Sequence, residues 1–90
     1  MKLWLLQPIE TRPNKGIRGT DPWEPWYDTA QGFVVRASSE REARSLATLS
    51  GGDETRDGER EPWLDALQTS CTELTADGEA EVVICDFAAA

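Results

Sequence analysis

Runs of apolar and β-branched residues mark four candidate strands in this chain. Leu3 to Leu6 is apolar at every position, which is typical of a strand covered on both faces, so we expect it at the centre of a sheet. Residues 32–37, Gly-Phe-Val-Val-Arg-Ala, form the second candidate. Two more, at 69–75 and 81–87, flank the turn-forming sequence Ala-Asp-Gly-Glu-Ala and predict a C-terminal β-hairpin.

A helical pattern separates the second candidate strand from the hairpin. Ser39 and Glu42 form a capping box, in which the hydroxyl accepts from the Glu42 amide and the carboxylate reaches back to the Ser39 amide. The helix is predicted to run from about Glu40 to Leu49, with Glu40 and Arg44 paired one turn apart. Three residues form its predicted apolar face: Ala43, Leu46 and Ala47.

The apolar positions also predict the register of the hairpin. If the numbers of paired residues sum to 156, Leu74 lies opposite Val82 and one side of both strands is apolar. A sum of 155 would pair Leu74 with Glu81 instead. The favoured register places Cys71 directly opposite Cys85, which allows a cross-strand disulfide on oxidation, although free thiols are expected in a reducing cytosol.

Together these elements predict one small α+β domain spanning residues 1–90. Its expected order is ββαββ, with a four-stranded antiparallel sheet covered on one face by the helix and irregular loops at 7–32 and 51–68. Ninety residues suffice for one modest core. The N-terminal apolar stretch is too short for a signal peptide or a membrane span, so a cytoplasmic protein is expected. We also expect the protein to be a monomer.

Charge is distributed unevenly along the chain, whose net charge is -8. Residues 1–52 carry 7 Lys/Arg and 6 Asp/Glu, whereas residues 53–90 carry 2 Arg and 11 Asp/Glu. Such an anionic half repels nucleic acid and acidic membranes and attracts a basic protein surface. Acidity that serves only solubility is the alternative explanation.

An acid-Pro-Trp sequence occurs three times, at 21–23, 24–26 and 61–63, and the last two belong to a repeated Glu-Pro-Trp-x-Asp-x-x-Gln phrase. Trp23 and Trp26 on one loop could form a platform for a ligand. The alternative, which we favour for at least two of the three Trp residues, is burial in a thin core that needs large aromatic side chains. In the repeated phrase we expect the Trp rings to point inward and the carboxylates outward.

The residue types present do not predict a catalytic, metal or cofactor site. The chain has no His, which removes the commonest general base, and its two Cys are too few for a zinc site. Residues 53–58 resemble the start of a calcium loop, but Leu64 stands where the bidentate Glu is required. We therefore expect no enzymatic activity, no cofactor and no metal.

A resemblance to a family of short bacterial proteins of uncharacterised activity rests on three strings: DPWEPWYD, GFVVRASSEREAR and TSCTELTADGEAEVVICDF. The resemblance covers most of the chain and implies a small domain but no activity. By size and charge alone, the chain is also similar to small acidic anti-CRISPR inhibitors of phages and mobile elements, some of which mimic DNA.

These observations lead to one main hypothesis, a non-enzymatic, anti-CRISPR-like inhibitor whose anionic surface mimics DNA and blocks nucleic-acid binding by a host defence complex. Its partner would be a basic protein surface, with no direct contact to nucleic acid or membrane. The candidate partner-binding residues are Asp53, Glu54, Asp57, Glu59, Glu61, Glu73, Asp77, Glu79 and Glu81. The alternative is a small ligand-binding or accessory protein that uses Trp23, Trp26 and Tyr27.

Overall fold

A three-stranded antiparallel sheet forms the centre of the molecule. The structure, a computed structural model, describes residues 1–24, 28–55 and 61–87. Strand β1 (Lys2–Pro8) lies between β2 (Phe33–Ala37) and β3 (Thr69–Leu74). The central position expected for the first strand is therefore confirmed, because its apolar run has a partner strand on each side.

The strand register gives the sheet two different faces. Leu6 pairs with Phe33 on one side and with Cys71 on the other, and these three residues pack together in the core beneath the helix. Leu5, on the opposite face, lies between Val34 and Thr72, and no helix covers it. We call this second surface the open face.

The single helix of the described residues, α1 (Glu40–Ser50), packs on the face that carries Leu6. Ser39 caps it and accepts from the Glu42 amide at 3.2 Å, as predicted, whereas the Glu42 carboxylate accepts from the amide of Ser38 instead of Ser39. Two Ala residues of the predicted apolar face are buried, but Leu46 is 40% exposed. The prediction for Leu46 was wrong because Arg44 occupies that part of the buried side of the helix.

The core is organised around the indole of Trp63, which is fully buried. Its ring meets Trp23 edge-on at a centroid distance of 5.5 Å and Phe33 at 4.8 Å. Edge-to-face contact is a favourable arrangement of aromatic rings. Trp23 and Trp63 are buried, which confirms the expectation for at least two of the three Trp residues, and Trp26 lies outside the described residues.

The predicted fourth strand is not confirmed, because residues 81–87 have no regular secondary structure. The segment runs across the open face, where Val83 lines a cavity with Leu5 and Ile84 approaches Gly32. A short apolar run suits a partly covering strap as well as a strand, which is why the pattern alone did not separate them. The predicted placement of Cys85 opposite Cys71 in a strand pair is not seen, because residues 81–87 form no strand, and both thiols are free.

Within the described ranges no helix has the length and apolar character that crossing a membrane requires.

Candidate functional site

One of the predicted partner-binding carboxylates, Glu54, is instead a buried structural group. Its side chain is 1% exposed and lies in a short 3-10 turn at 53–55. One carboxylate oxygen accepts from the amides of Ala30 (2.9 Å) and Gly52 (3.0 Å), and the other accepts from the indole N–H of Trp63 (2.6 Å). A buried carboxylate needs such donors, so Glu54 ties its own turn to the loop before β2 and to Trp63, and it is not available to a partner.

The contacts between the turn that carries Glu54 and the loop before β2, which we call the buried junction, leave little space. The Asp53 amide donates to the Asp28 carbonyl at 2.8 Å, and the Asp53 carboxylate accepts from the Asp28 amide at 3.0 Å. A Cβ added at Gly52 would lie 2.3 Å from the same carbonyl oxygen, so only glycine fits at that position. Asp53 is therefore also engaged in holding the loop that precedes β2.

Arg44 holds the other side of Trp63, a role that the sequence did not reveal. Its guanidinium is buried and donates to the Trp63 carbonyl at 3.0 Å, the Thr69 hydroxyl at 2.9 Å and the Thr69 carbonyl at 3.1 Å. It also makes the predicted ion pair with Glu40, at 3.1 Å. The position of Arg44 between Ala43 and Ala47 was the available signal, since a charge on the buried side of a helix requires specific partners.

The loop before β2 encloses two more carboxylates, Asp21 and Glu24, both buried. Asp21 accepts from the Arg12 guanidinium through two N–H···O contacts of 3.0 Å and from the amides of Gly16 (2.8 Å) and Trp23 (3.0 Å). The Gly16 backbone has φ +77°, a left-handed conformation that glycine adopts without strain.

Glu24 accepts in the same way from the amide of Gly19, whose φ is +84°. The expectation that the carboxylates of the repeated phrase point outward is wrong for Glu24, because turn amides in this loop provide it with a partner. Asp28, Glu61 and Asp65 of the two copies are exposed, as expected.

Six of the exposed acidic residues lie at one end of the sheet, which we call the acidic end: Glu40, Glu42, Glu73, Asp77, Glu79 and Glu81. Leu3 pairs with Leu74, and Lys2 pairs with Ala37, so the turn after β3 and the first turn of α1 both lie where β1 begins. Two of these carboxylates are paired, Glu73 with Lys2 at 3.0 Å and Glu40 with Arg44. In the described part of the chain the other four form no ion pair.

The structure thus separates the predicted partner-binding residues. Glu73, Asp77, Glu79 and Glu81 lie at the acidic end, whereas Asp53, Glu54 and Glu61 lie near the opposite end of the sheet, beside Trp63. Asp57 and Glu59 lie outside the described residues, as do Trp26 and Tyr27 of the alternative ligand platform. The remaining platform residue, Trp23, is buried and donates its indole N–H to the Ala30 carbonyl at 2.8 Å.

A groove of about 670 Å³ lies between the loop before β2 and the C-terminal segment. Trp23 and Phe33 form part of its apolar wall, and Arg12 and Lys15 line it as well. The cations are already neutralised, because Arg12 binds Asp21 and stacks 4.9 Å from the Trp23 ring centroid, while Lys15 pairs with Glu10. These two cations are therefore not free to bind an anionic ligand.

The described residues contain no group of three or more His, Cys, Asp or Glu side chains placed to hold a metal ion. Comparison of the chain with protein-family models, with curated proteins and with solved structures gives no match. The resemblance to a bacterial family stays a prediction, and the acidic end is the feature on which a functional proposal can be based.

Replacing Glu54 by Gln tests the buried junction. Gln keeps the shape of the side chain but puts an NH₂ group against at least one of the N–H donors of Ala30, Gly52 and Trp63. An unsatisfied buried polar group costs about 1–3 kcal/mol, so we expect the free energy of unfolding, measured in urea, to fall by that amount. Glu61→Gln, at an exposed carboxylate, is the matched control and should change stability by less than about 0.5 kcal/mol; equal effects of the two substitutions would refute the assigned role.

Asp21 gives the fold a predictable acid sensitivity. Burial opposes its ionisation, but the amides of Gly16 and Trp23 and the guanidinium of Arg12 together outweigh burial and hold the pKa of Asp21 below its ordinary value of 3.8. The folded state thus favours the ionised form, and this stabilisation is complete above the ordinary pKa and is lost as the pH falls through the folded value.

Asp21→Asn should therefore lower the stability at neutral pH, and the difference from the wild type should shrink as the pH drops below 3.8. Urea unfolding over a pH series measures this difference. Asp28→Asn, which removes an exposed carboxyl from the same loop, should leave the wild-type profile unchanged. A constant difference between Asp21→Asn and the wild type at all pH values would contradict the assignment.

Proposed function

We propose that this chain is a non-enzymatic, acidic protein-binding module whose acidic end engages a basic surface of a nucleic-acid-binding host protein. The observation that carries the proposal is the turn that follows β3. Asp77, Glu79 and Glu81 alternate along it, all three are exposed, and within the described residues none forms an ion pair. Exposed, uncompensated charges of one sign steer the approach of an oppositely charged surface.

The candidate partner-binding residues lie at two ends of the sheet, so the surface that we assign to the partner is smaller than the one expected from the sequence. Glu54 is excluded by burial, and Asp53 is used in the junction with Asp28. Glu73 keeps its place beside the turn, although its pairing with Lys2 lowers its free charge. The surface that we assign to the partner is therefore compact and lies at one end of the domain.

Glu40 and Glu42 of the first turn of α1 enlarge the same surface. Their carboxylates also lie favourably at the positive end of the helix dipole, so part of their charge is compensated by the fold itself. Glu40 is paired with Arg44, which leaves Glu42 and the turn as the more available groups. A partner would meet carboxylates from two elements held at fixed positions.

In its most concrete form, the module is a phage- or mobile-element-type inhibitor of the anti-CRISPR kind. Carboxylates that follow one another along a turn can take the place of phosphates in a basic groove and so prevent the binding of DNA. The net charge of -8 supports this form, because it disfavours direct binding of the chain to DNA or RNA.

Charge reversal at the turn tests the proposal. The probe is fluorescent target DNA bound to a panel of guide-loaded CRISPR effector complexes, and we expect the wild-type chain to displace DNA from at least one of them. Asp77→Lys/Glu79→Lys should weaken that inhibition about tenfold or more, because repulsion replaces attraction at two contacts (about 1.4 kcal/mol per factor of ten). Raising the ionic strength from about 0.01 M to about 0.15 M should also weaken inhibition by the wild-type chain, since the Debye length shortens from about 30 Å to about 8 Å.

The matched control is Asp28→Lys/Glu61→Lys at the opposite end of the sheet. Both double variants change the net charge from -8 to -4, so a general charge effect would reduce inhibition equally in the two proteins. Equal loss of inhibition in the two variants would show that the acidic end is not the partner-binding site. Failure of the wild-type chain to displace DNA from any complex of the panel at low salt would refute the inhibitor form.

A further inference from the structure

Among the described residues, the outer edge of β3 and the segment 81–87 each lack a hydrogen-bonded backbone partner. β3 is hydrogen-bonded to β1 on its inner side alone, so its other edge is unpaired among the described strands. Across those same described ranges, no backbone hydrogen bond joins residues 81–87 to another segment. Unpaired strand edges readily accept a further strand, and only the six-residue connection 75–80 separates this edge from the segment.

The segment itself is apolar and exposed in the structure. Val82 is 79% exposed and Phe87 is 82% exposed, and Val83 and Ile84 are about half exposed. Leaving four large apolar side chains in contact with water is unfavourable. The present position therefore holds the segment weakly, and an arrangement that supplies its missing backbone partners can replace it.

Pairing with the edge of β3 is such an arrangement. With paired residue numbers summing to 156, Val82 would lie opposite Leu74 and Ile84 opposite Thr72, which extends the apolar surface of the open face around Leu5. Intrachain pairing is favoured over pairing with a second copy, because the short connection keeps the two strands together whereas two chains of net charge -8 repel each other.

We propose that Cys71 and Cys85 form a reversible disulfide site, assembled when residues 81–87 pair with the outer edge of β3. Directly opposite residues of antiparallel strands have Cα atoms about 4.5–5.5 Å apart, which lies within the range of about 4.4–6.8 Å that a disulfide requires. Cys71 packs against the core on the helix face of β3, and Cys85 would point to the same face. Both thiols are free in the present arrangement.

The environments of the two thiols set the order of reaction. Cys85 is exposed, whereas Cys71 is half-buried and burial raises its pKa, so Cys85 reacts first with a low-molecular-weight disulfide such as oxidised glutathione. The Cys85 thiolate attacks one glutathione sulfur, and the S–S bond breaks to release one glutathione thiol. After strand pairing, the Cys71 thiolate attacks the Cys85 sulfur and releases the second glutathione thiol. Two protein thiols are oxidised and one glutathione disulfide is reduced.

The test is oxidation of the full chain with oxidised glutathione at about micromolar protein concentration and about pH 8, because the thiolate is the form of a cysteine that reacts. We expect a monomeric product whose mass is lower by two hydrogens, with Cys71 and Cys85 linked in one peptide. Amide hydrogen exchange in residues 82–86 should slow on oxidation and should recover on reduction, because pairing adds backbone hydrogen bonds.

A register-shifted variant is the control. Cys71→Ser/Thr72→Cys moves the thiol to the neighbouring residue, which points to the open face, so its disulfide with Cys85 should form at least about tenfold more slowly. Equal rates for the two proteins would show that the segment meets β3 at random and would overturn the proposal. A lasting glutathione adduct at Cys85 without a bridge would overturn it as well, and so would disulfide-linked dimers, which require exchange between copies.

Discussion

The structure depends on the immobilisation of one buried ring, that of Trp63. Glu54 accepts a hydrogen bond from its indole N–H, Arg44 donates to its carbonyl, and Trp23 and Phe33 pack on it edge-on. Replacing a buried Trp by Ala typically costs about 3–5 kcal/mol, a large share of the stability of a domain of 90 residues. The thin sheet and the short helix are joined through this residue, so the rest of the core follows from its position.

Buried charged side chains hold Trp63 and the loops of this small domain in place. Asp21, Glu24, Arg44 and Glu54 are all buried, and each one has partners that compensate for the loss of water. Breaking one partner of such a group is more costly than losing a surface pair. The acidic composition therefore has two parts with different purposes, one that holds the loops in place and one that remains exposed at the acidic end.

Local patterns predicted the helix, its cap and the three strands of the sheet, because periodicity and capping are properties of neighbouring residues. The burial of at least two of the three Trp residues was predicted from the need of a thin core for large aromatic side chains. Local patterns did not predict which carboxylates are buried. Two of the donors to Glu54 come from Ala30 and Trp63, which are 24 and 9 residues away, and contacts across such distances in the chain leave no local pattern. Residues 81–87 could not be assigned for another reason, because their short apolar run fits both a strand and a strap over the open face.

The position of Trp63 has a consequence for synthesis on the ribosome. A nascent chain that has emerged to the end of α1 holds β1, β2 and the helix, but it lacks the ring that fills the core and the strand that covers the second edge of β1. Glu54 and Arg44 would remain without their main partners until residues 63–69 follow. Folding of this domain is therefore completed only after residues 63–69 have left the ribosome.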